Sequence, residues 1–457
     1  MKIKRIIASE IAVLDSDVVN GGGTDVTEQI QAALDEALTC GGVHLVMDGA
    51  ALVRSLRIHS NTTIECLSLS CGFYQVGGTD SAIIGNYNED LSETVRTTPL
   101  RNIRILGGTY NQNCREQQHH TPIDPSSPNA NLFPPDHNYG HPTFGMEFWG
   151  VENLTVRDVH MVDFRSYAFQ LSGFKNVVFE NVRLELPNKM QGQNQDGIHF
   201  SGPGSNVSLK NISGDAGDDF IAFSSDDYFP GAAITDVLVD GVFLEEADQA
   251  VRLYSCKDGR LDRITVRNVT GVYRSFGFYI NCWFQKGGYG NFGNIVFENI
   301  DLRAVDPNFT YRKPMLFSIG GDIECMTFRN ITNHLPHDNR TLFEIGSPFH
   351  EYMKILPEDN KPRIRAVIID GLTVFENDGA AADAEYIKIF DTVDRLILRD
   401  VIAVHGDGEK KGHLISFVKD GNIRTLMMNN VMTSGFASLV SEPERVGHVI
   451  SDGVRAE

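Results

Sequence analysis

The feature of this sequence that most constrains its fold is a repeated segment. Short runs of β-branched and aromatic residues, each with an Asn or Asp at a turn, recur every 23 to 32 residues between positions 152 and 324. Related segments begin at 101, 366, 394 and 422. A period of this length is typical of a solenoid, in which each coil buries its apolar side chains only by stacking on its neighbours. We therefore expect an all-β fold, a right-handed parallel β-helix of about ten coils.

One segment near the N-terminus has helical rather than strand periodicity. We expect a helix at residues 25–40, with Asp25 or Thr27 as the N-cap and the glycines after Cys40 as the stop. Its apolar positions are Ile30, Ala33, Leu34 and Leu38. Such a helix would cap the first coil, whose open sheet edge would otherwise invite association.

The sequence predicts a single domain over residues 1–457, because it contains no linker-like tract. Its expected parts are an N-terminal cap at 1–55, coils at 56–440, a C-terminal end at 441–457, and inserted loops at 111–142 and 335–363. The first loop carries four histidines, His119, His120, His137 and His141. Their spacing matches no metal-site template, so no metal is predicted there.

Composition excludes several classes of partner. The formal net charge of −20 argues against nucleic acid or an anionic membrane surface, since both are bound by basic patches. No run of residues approaches the 18 apolar positions of a spanning helix, and the N-terminal segment lacks a signal-peptide pattern. The seven scattered cysteines form no zinc-type pairs. We expect a cytoplasmic protein with reduced thiols and no cofactor, and the sequence leaves its oligomeric state open.

Three aspartates lie about one coil apart in the segment 194–223. Asp196 precedes Asp218 by 22 residues, so the two side chains are expected on neighbouring coils, roughly 4.8 Å apart along the stack. Successive side chains of a strand point to opposite faces. Asp219 can therefore join Asp218 in one site only if the backbone bends, which Gly217 permits.

Clustered carboxyl groups suit glycosidic bond hydrolysis. Inversion needs one protonated carboxyl to donate to the leaving oxygen, and a carboxylate about 6.5 to 9.5 Å away to activate a water on the opposite face of the sugar. Repulsion among three carboxylates favours retention of a proton on one of them. The alternative interpretation is that these aspartates satisfy the backbone of coil corners, as Asn and Asp commonly do.

The same residues resemble a known family. The pattern Asn194-Gln195-Asp196-Gly-Ile, followed by Gly217-Asp218-Asp219, is similar to glycoside hydrolase family 28, the polygalacturonases, whose fold is a pectin lyase-like right-handed β-helix. The resemblance covers roughly residues 150 to 305, with Gln195 in place of the family's threonine. It implies that Asp218 is the general acid and that Asp196 and Asp219 together are the base.

Two further motifs of that family, Gly-His-Gly and Arg-Ile-Lys, are missing. By stacking of coils, Asp248 lies near the histidine position, while Tyr279 and Asn281 replace the arginine and the lysine. In the family those cations hold the carboxylate of galacturonic acid, a charge-assisted contact that a tyrosine and an amide cannot supply. We therefore expect a neutral or atypical α-linked sugar, although Arg252 on the previous coil could still receive an acidic one.

Other candidate substrate-binding residues lie on the coils around the aspartates. They are Asn194, Gln170, His199, Asp248, Arg252, Tyr254, Tyr279, Asn281 and Trp283. Arg252 and Tyr254 alternate on one side of their strand, and a buried unpaired arginine is rare, so both are expected to face a groove. No metal ligands are predicted. The alternatives to a hydrolase are a lyase or epimerase acting on a uronic-acid polymer, and a carbohydrate-binding or structural β-helix without activity.

Overall fold

The structure is a computed structural model that describes most of the chain. The described residues are 2–86, 99–117, 143–189, 194–255, 258–282, 290–305, 314–335, 341–346, 362–376, 385–405 and 412–456. They form two compact units, residues 1–222 and residues 223–457, and each is described by itself. The interpretation of 1–457 as one domain stays a prediction.

The first unit consists of short strands and one α-helix in its described residues. The helix is α1 (Thr27–Cys40), and single 3₁₀ turns lie at Ala8–Glu10 and Cys114–Glu116. The strands are β1 (Lys4–Ile7), β2 (Val43–Met47), β3 (Ala50–Val53), β4 (Leu56–Arg57), β5 (Thr62–Cys66), β6 (Gly72–Gln75), β7 (Ile84–Gly85), β8 (Leu100–Leu106), β9 (Thr109–Asn111), β10 (Met146–Arg157), β11 (His160–Val162), β12 (Phe169–Glu185) and β13 (Ile198–Asp215). The next strand, β14 (Asp219–Ser224), crosses the boundary of the unit.

All strand pairs of the first unit are parallel and build three faces. One face runs through β1, β2, β5 and β8 to the later residues of β10, and a second through β3, β6, β9 and β11 to the end of β12. The third, which we call the site face, joins β4, β7 and the first residues of β10, β12 and β13. Parallel pairing of each coil with the next confirms the predicted parallel β-helix.

The predicted helix is present and ends at the predicted glycine, with differences at its N-cap and at its fourth apolar position. Ile30, Ala33 and Leu34 are buried as expected, but Ala37 is the fourth buried position and Leu38 is 69% exposed. Positions 37 and 38 lie at the edge of the apolar stripe, and the spacing alone did not separate them. The N-cap is Val26, which offers no side-chain cap, and Gly41 ends the helix in the left-handed conformation.

Asparagines stack at one corner of the coils in the first unit. Each adopts a positive φ, between 57° and 63°, which Asn tolerates better than other residues with a side chain. Each amide nitrogen donates to the amide oxygen of the preceding coil at 2.7 to 3.0 Å. The members of this asparagine ladder are Asn61, Asn102, Asn153, Asn176 and Asn206, and Asn61 itself donates to the carbonyl of Gly41. The ladder thus fastens one coil to the next along an exposed edge.

The second unit also consists of parallel coils in its described residues. Its strands are β15 (Ala233–Ser255), β16 (Arg260–Cys282), β17 (Asn291–Ala304), β18 (Met315–Ile319), β19 (Asp322–Leu335), β20 (Phe343–Ile345), β21 (Val367–Glu376), β22 (Glu385–Ile389), β23 (Thr392–Val404), β24 (His413–Phe417), β25 (Asn422–Ser434), β26 (Ser438–Val440), β27 (Val446–Asp452) and β28 (Arg455–Ala456), with a 3₁₀ turn at Pro443–Arg445. All of their pairings are parallel.

Stacked aromatic rings fill the interior of the second unit. Phe278 stacks on Phe317 at 4.8 Å between ring centroids, and Phe317 stacks on Phe343 at 4.9 Å. All three are fully buried, and each contributes about 1.5–3 kcal/mol by burial. Equivalent residues of successive coils therefore meet inside the unit, as the sequence period predicts.

An ion pair takes the place of stacked asparagines at one corner of the second unit. Asp236 and Arg263 both have positive φ, and the guanidinium donates two hydrogen bonds to the carboxylate at 2.6 and 2.7 Å. These bonds lower the pKa of Asp236 to about 2. Both side chains are about half exposed, so the pair is screened by solvent.

Two further sequence expectations concern cysteines and membrane spans. Cys40, Cys66, Cys71, Cys114 and Cys325 are free thiols. Burial raises the pKa of the Cys66 thiol to about 12. Among the described residues, no helix has the length and apolar character needed to cross a bilayer.

Candidate active site

Asp196 is held where the backbone of three coils meets, just before β13. Its carbonyl accepts the N–H of Ala168 at 2.9 Å, and the next residue, Gly197, donates to the carbonyl of Asp219 at 2.8 Å. A Cβ on Gly197 would lie 2.3 Å from the carbonyl oxygen of Phe220, so glycine is required for this close approach. The carboxylate of Asp196 is therefore fixed by the coil rather than by a mobile loop.

The backbone bends before Asp219 as the sequence predicts. The N–H groups of Gly217 and Asp218 both donate to the carbonyl of Gln195, at 2.9 and 3.2 Å. A Cβ on Gly217 would lie 2.9 Å from the Cβ of Gln195, so this glycine also permits a close approach. Because two successive N–H groups point at one acceptor, strand alternation is broken here and both aspartates can face one site.

The three predicted aspartates converge. One carboxylate oxygen from each of Asp196, Asp218 and Asp219 lies within 4.8 Å of the other two. Asp196 is 1% exposed, and the other two are half-buried. Three carboxylates this close repel one another, which favours retention of a proton on one of them. The proximity of Asp196 and Asp218 agrees with the spacing of roughly 4.8 Å expected between neighbouring coils.

A histidine supports Asp196. Nδ1 of His199 lies 2.7 Å from Oδ2 of Asp196, and its side chain is 8% exposed. An ionised carboxylate can only accept, so Nδ1 carries the proton in this contact. The imidazole stacks on the ring of Tyr167 at 4.3 Å with 1° between the planes, and the Tyr167 hydroxyl accepts a hydrogen bond from Asn194 at 3.0 Å. Asn194, which is predicted to bind substrate, is exposed and lies two residues before Asp196.

The site face carries more polar side chains on the preceding coils. Gln170 is in register with His199, and Glu147 with Gln170. Gln170 is fully buried and donates to the hydroxyl of Ser201 at 3.1 Å. Glu147 accepts a hydrogen bond of 2.6 Å from the indole N–H of Trp149. A sugar contact of Gln170 stays a prediction.

The carboxylate cluster is the group in the described residues whose spacing could also hold a metal ion. Oxygen ligands of this kind suit Ca²⁺ or Mg²⁺. A cation there would compete with the proton that a general acid must carry, so the two uses of the cluster exclude each other.

The candidate residues of the second unit also meet one another. Arg252 lies one coil before Tyr279, as expected, and the structure shows Arg252 in register with Tyr279 and Tyr254 with Asn281. The guanidinium of Arg252 lies 3.9 Å from the ring centroid of Tyr279 and 5.0 Å from that of Tyr254. Arg252 and Tyr254 are half-buried, in agreement with the expectation that neither points into the core.

Tyr279, Asn281 and Asp248 have close protein contacts. Tyr279 is 5% exposed and stacks on Phe276 at 4.2 Å, and Asn281 is 3% exposed. Asp248 forms an ion pair of 2.8 Å with the buried Arg274. Their roles in substrate binding stay predictions, and Trp283 and the four histidines of the first inserted loop lie outside the described residues.

Three residues of this region were not found by sequence reasoning. Tyr167 stacks across coils on His199, and Trp149 and Glu147 bond to each other on the site face. Glu147 and Trp149 flank the apolar Phe148 in the sequence, and this alternation indicates that their side chains share one side of the strand. No signal in the sequence points to the stacking of Tyr167.

Comparison with known proteins agrees with this geometry. Residues 134–310 match the family model described as glycosyl hydrolases family 28. A polygalacturonase of Brassica napus is 27% identical over 159 residues, which are 34% of this chain and 37% of that protein. The chain thus matches little more than a third of the length of this curated relative.

Solved structures share the fold. A family 28 exopolygalacturonase of Yersinia enterocolitica superposes with a TM-score of 0.54 and 14% identity, over 99% of this chain and 78% of that one. The A-module of the mannuronan C-5 epimerase AlgE4 of Azotobacter vinelandii gives 0.58 and 11%, over 98% and 100%. These likenesses confirm the predicted right-handed β-helix. The match over residues 134–310, which contain the aspartate cluster, shows that the central coils of this chain are similar to glycosyl hydrolases family 28.

Proposed function

We propose that this protein hydrolyses an α-linked glycosidic bond, with inversion, in an oligo- or polysaccharide whose sugars are neutral or atypical. The observation that supports this most is the convergence of Asp196, Asp218 and Asp219 within 4.8 Å, inside the segment that matches the family. Asp218 donates a proton to the leaving oxygen, and Asp196 and Asp219 take one from the attacking water. His199 keeps Asp196 ionised and in place through its 2.7 Å contact.

The separation of the carboxylates makes the stereochemistry a decisive test. Retaining enzymes place their two carboxyl groups about 5–5.5 Å apart and inverting ones about 6.5–9.5 Å. The nearest oxygens here are within 4.8 Å, so inversion requires that the water be activated by Asp196 and Asp219 jointly, on the sugar face away from Asp218. Proton NMR identifies the anomer of the sugar product that forms first. The β-anomer supports inversion, and the α-anomer supports retention with an aspartate as nucleophile.

The neutral-sugar proposal is supported by the residues that stand where the family has cations. Tyr279 and Asn281 are neutral, and the guanidinium of Arg252 lies on the faces of two tyrosine rings. We therefore expect faster hydrolysis of neutral α-linked oligosaccharides than of oligogalacturonates. Faster hydrolysis of oligogalacturonates would contradict this preference and would indicate that Arg252 binds the sugar carboxylate.

The first experiment is product release by the wild type from a panel of both kinds of oligosaccharide, with Asp218→Asn as the matched control. Hydrolysis by the wild type alone supports the proposal. The same assay in excess EDTA separates it from a calcium-dependent lyase, since hydrolysis should continue at an unchanged rate. An unsaturated product absorbing in the ultraviolet would show a lyase, and binding without turnover would show a carbohydrate-binding protein.

A further inference from the structure

Tyr167 contacts the residues on both sides of Asp196 from the preceding coil. Its ring stacks on the imidazole of His199, with 4.3 Å between the ring centroids and 1° between the planes. Its hydroxyl accepts a hydrogen bond from Nδ2 of Asn194 at 3.0 Å. Asn194 lies two residues before Asp196, and His199 lies three residues after it. One half-buried side chain therefore supports both flanks of the aspartate, through two different groups.

The two residues that Tyr167 contacts have side chains whose last torsion is soft. In Asn and His the χ2 torsion joins an sp3 carbon to an sp2 carbon, and its preference is broad, so the amide or the imidazole turns easily unless a contact holds it. The N–H of an imidazole lies in the plane of the ring. The 2.7 Å contact of His199 Nδ1 with Asp196 is therefore lost when the ring rotates, because the donor then points elsewhere. A parallel ring stacked on the imidazole opposes this rotation.

The ring of Tyr167 is itself supported by the coil before it. It packs against the ring of Phe144 at 4.9 Å between centroids, with 30° between the planes, and Phe144 is 3% exposed. The backbone carbonyl of Tyr167 accepts the N–H of Gly145 at 2.8 Å. The rings of Phe144, Tyr167 and His199 thus come from three successive coils, and the first of them is a fixed part of the interior.

The backbone around Asp196 is held without the tyrosine side chain. The N–H of Ala168 donates to the carbonyl of Asp196 at 2.9 Å, and the hydroxyl of Ser166 donates to the carbonyl of Asn194 at 3.1 Å. Both bonds remain when the side chain of Tyr167 is replaced. Substitutions at this position therefore change the orientation of the neighbouring side chains and leave the pairing of the two coils in place.

We propose that Tyr167 is a positioning residue of the aspartate cluster, and that its two groups act on two different constants of the reaction. The hydroxyl holds one N–H of the exposed Asn194 amide, so that the amide oxygen and the second N–H are oriented for a sugar hydroxyl, which lowers KM. The ring holds the imidazole of His199 in the plane from which it donates to Asp196, which raises kcat. This inference rests on the proposed hydrolysis and adds a residue that acts through its neighbours.

The first variant separates the hydroxyl from the ring. Tyr167→Phe removes only the hydroxyl, so Asn194 must be ordered during binding, and KM should rise roughly three- to tenfold while kcat changes by less than about twofold. Initial rates over a range of oligosaccharide concentrations give both constants. Tyr74→Phe is the matched control, because Tyr74 is also half-buried and lies on β6, on another face of the unit. An unchanged KM in Tyr167→Phe would overturn the role of the hydroxyl.

The second variant removes the ring as well. Tyr167→Leu should show the same rise in KM and a loss in kcat of roughly fivefold, smaller than the loss on removing the imidazole, because the ring acts through His199. In a His199→Ala background the same substitution should leave kcat unchanged. A full loss in that background would show that the ring acts by another route and would overturn the inference. In an Asn194→Ala background, Tyr167→Phe should leave KM unchanged, and a further rise would contradict the role of the hydroxyl.

A spectroscopic measurement tests the stack without turnover. Protons that lie over a parallel aromatic ring resonate upfield, and the imidazole signals of His199 are assigned by their loss in His199→Ala. They should be upfield in the wild type and in Tyr167→Phe, and return to ordinary positions in Tyr167→Leu. Ordinary positions in the wild type would overturn the inference even in an active enzyme. If circular dichroism shows that Tyr167→Leu is unfolded, the wild-type spectrum and Tyr167→Phe decide.

The outcomes separate this inference from the proposed function. Hydrolysis by the wild type, with kcat and KM unchanged in both Tyr167 variants, would overturn the inference and leave the function standing. Hydrolysis of no oligosaccharide would overturn the proposed function, and the effects on kcat and KM with it, even where the upfield signals of His199 confirm the stack.

Discussion

The asparagine ladder and the aspartate cluster are both made of short polar side chains stacked on successive coils of the first unit. In the ladder every amide has a donor and an acceptor, so each side chain satisfies the next at 2.7 to 3.0 Å. In the cluster the side chains offer mainly acceptors, and their oxygens are crowded within 4.8 Å. Stacking therefore stabilises the coils where hydrogen-bond donors and acceptors alternate. Where the stacked groups are all carboxylates, it brings like charges together and they repel one another.

The largest expected effect is on turnover at the cluster. Asp218→Asn removes the proposed proton donor and should lower kcat by roughly 10²–10⁴-fold, measured by initial rates on the best oligosaccharide of the panel. The same substitution relieves repulsion, so its urea midpoint should equal or exceed that of the wild type. A lower midpoint would show that favourable contacts hold the three carboxylates. It would contradict the contrast between a stabilising ladder and a repulsive cluster.

The next effect is on stability at the ladder. Asn176→Ala removes one bond to Asn153 and one from Asn206, and places alanine at a φ of 57°. We expect a loss of about 2 kcal/mol in the free energy of unfolding and an unchanged kcat. Asn176→Gly is the matched control, because glycine accepts this φ and loses only the bonds. Equal losses in the two variants would show that the backbone conformation contributes little.

A smaller effect on kcat is expected at His199, which donates a hydrogen bond to Asp196 of the cluster. His199→Ala removes the partner of Asp196 and should lower kcat about tenfold, a loss of about 1.4 kcal/mol in transition-state stabilisation, with KM little changed. His199→Asn places an amide near Nδ1 and should restore most of the rate. The pH profile of kcat/KM should lose its imidazole component in both variants, which a purely structural role for His199 would not produce.

The smallest effect concerns the ion pair that replaces amides at a corner of the second unit. The pKa of Asp236 is lowered from 3.8 to about 2, so its ionised form adds stability above about pH 4 that is lost as the pH falls toward 2. Asp236→Asn should shift the urea midpoint slightly at pH 7 and by less at pH 2, where the carboxyl is already partly protonated. An equal shift at both pH values would assign the effect to packing instead of charge.

Sequence reasoning succeeded where a contact follows from the period. Because coils stack in parallel, a spacing of 22 residues was enough to bring Asp196 beside Asp218. The same logic placed Arg252 on the coil before Tyr279. Both predictions depend only on which residues lie on neighbouring coils.

The features that the sequence did not predict depend on distances shorter than the spacing between coils. The bend before Asp219 was expected only as something that Gly217 permits, because the double hydrogen bond to Gln195 that forms it is not encoded in any periodic pattern. The burial of Gln170 and Trp149 could not be predicted either, since outward positions of a coil look the same in sequence whether they are open or covered. Ala37 and Leu38 were exchanged because both lie at the margin of the helical stripe.

The asparagine ladder has a consequence for how such a chain lengthens in evolution. Each ladder amide uses one donor toward the coil before it and one acceptor toward the coil after it. A duplicated coil that carries its own asparagine would therefore close both gaps opened by its insertion, with no compensating change elsewhere. At this corner a whole coil is therefore a unit whose gain or loss leaves every ladder amide paired with its neighbours.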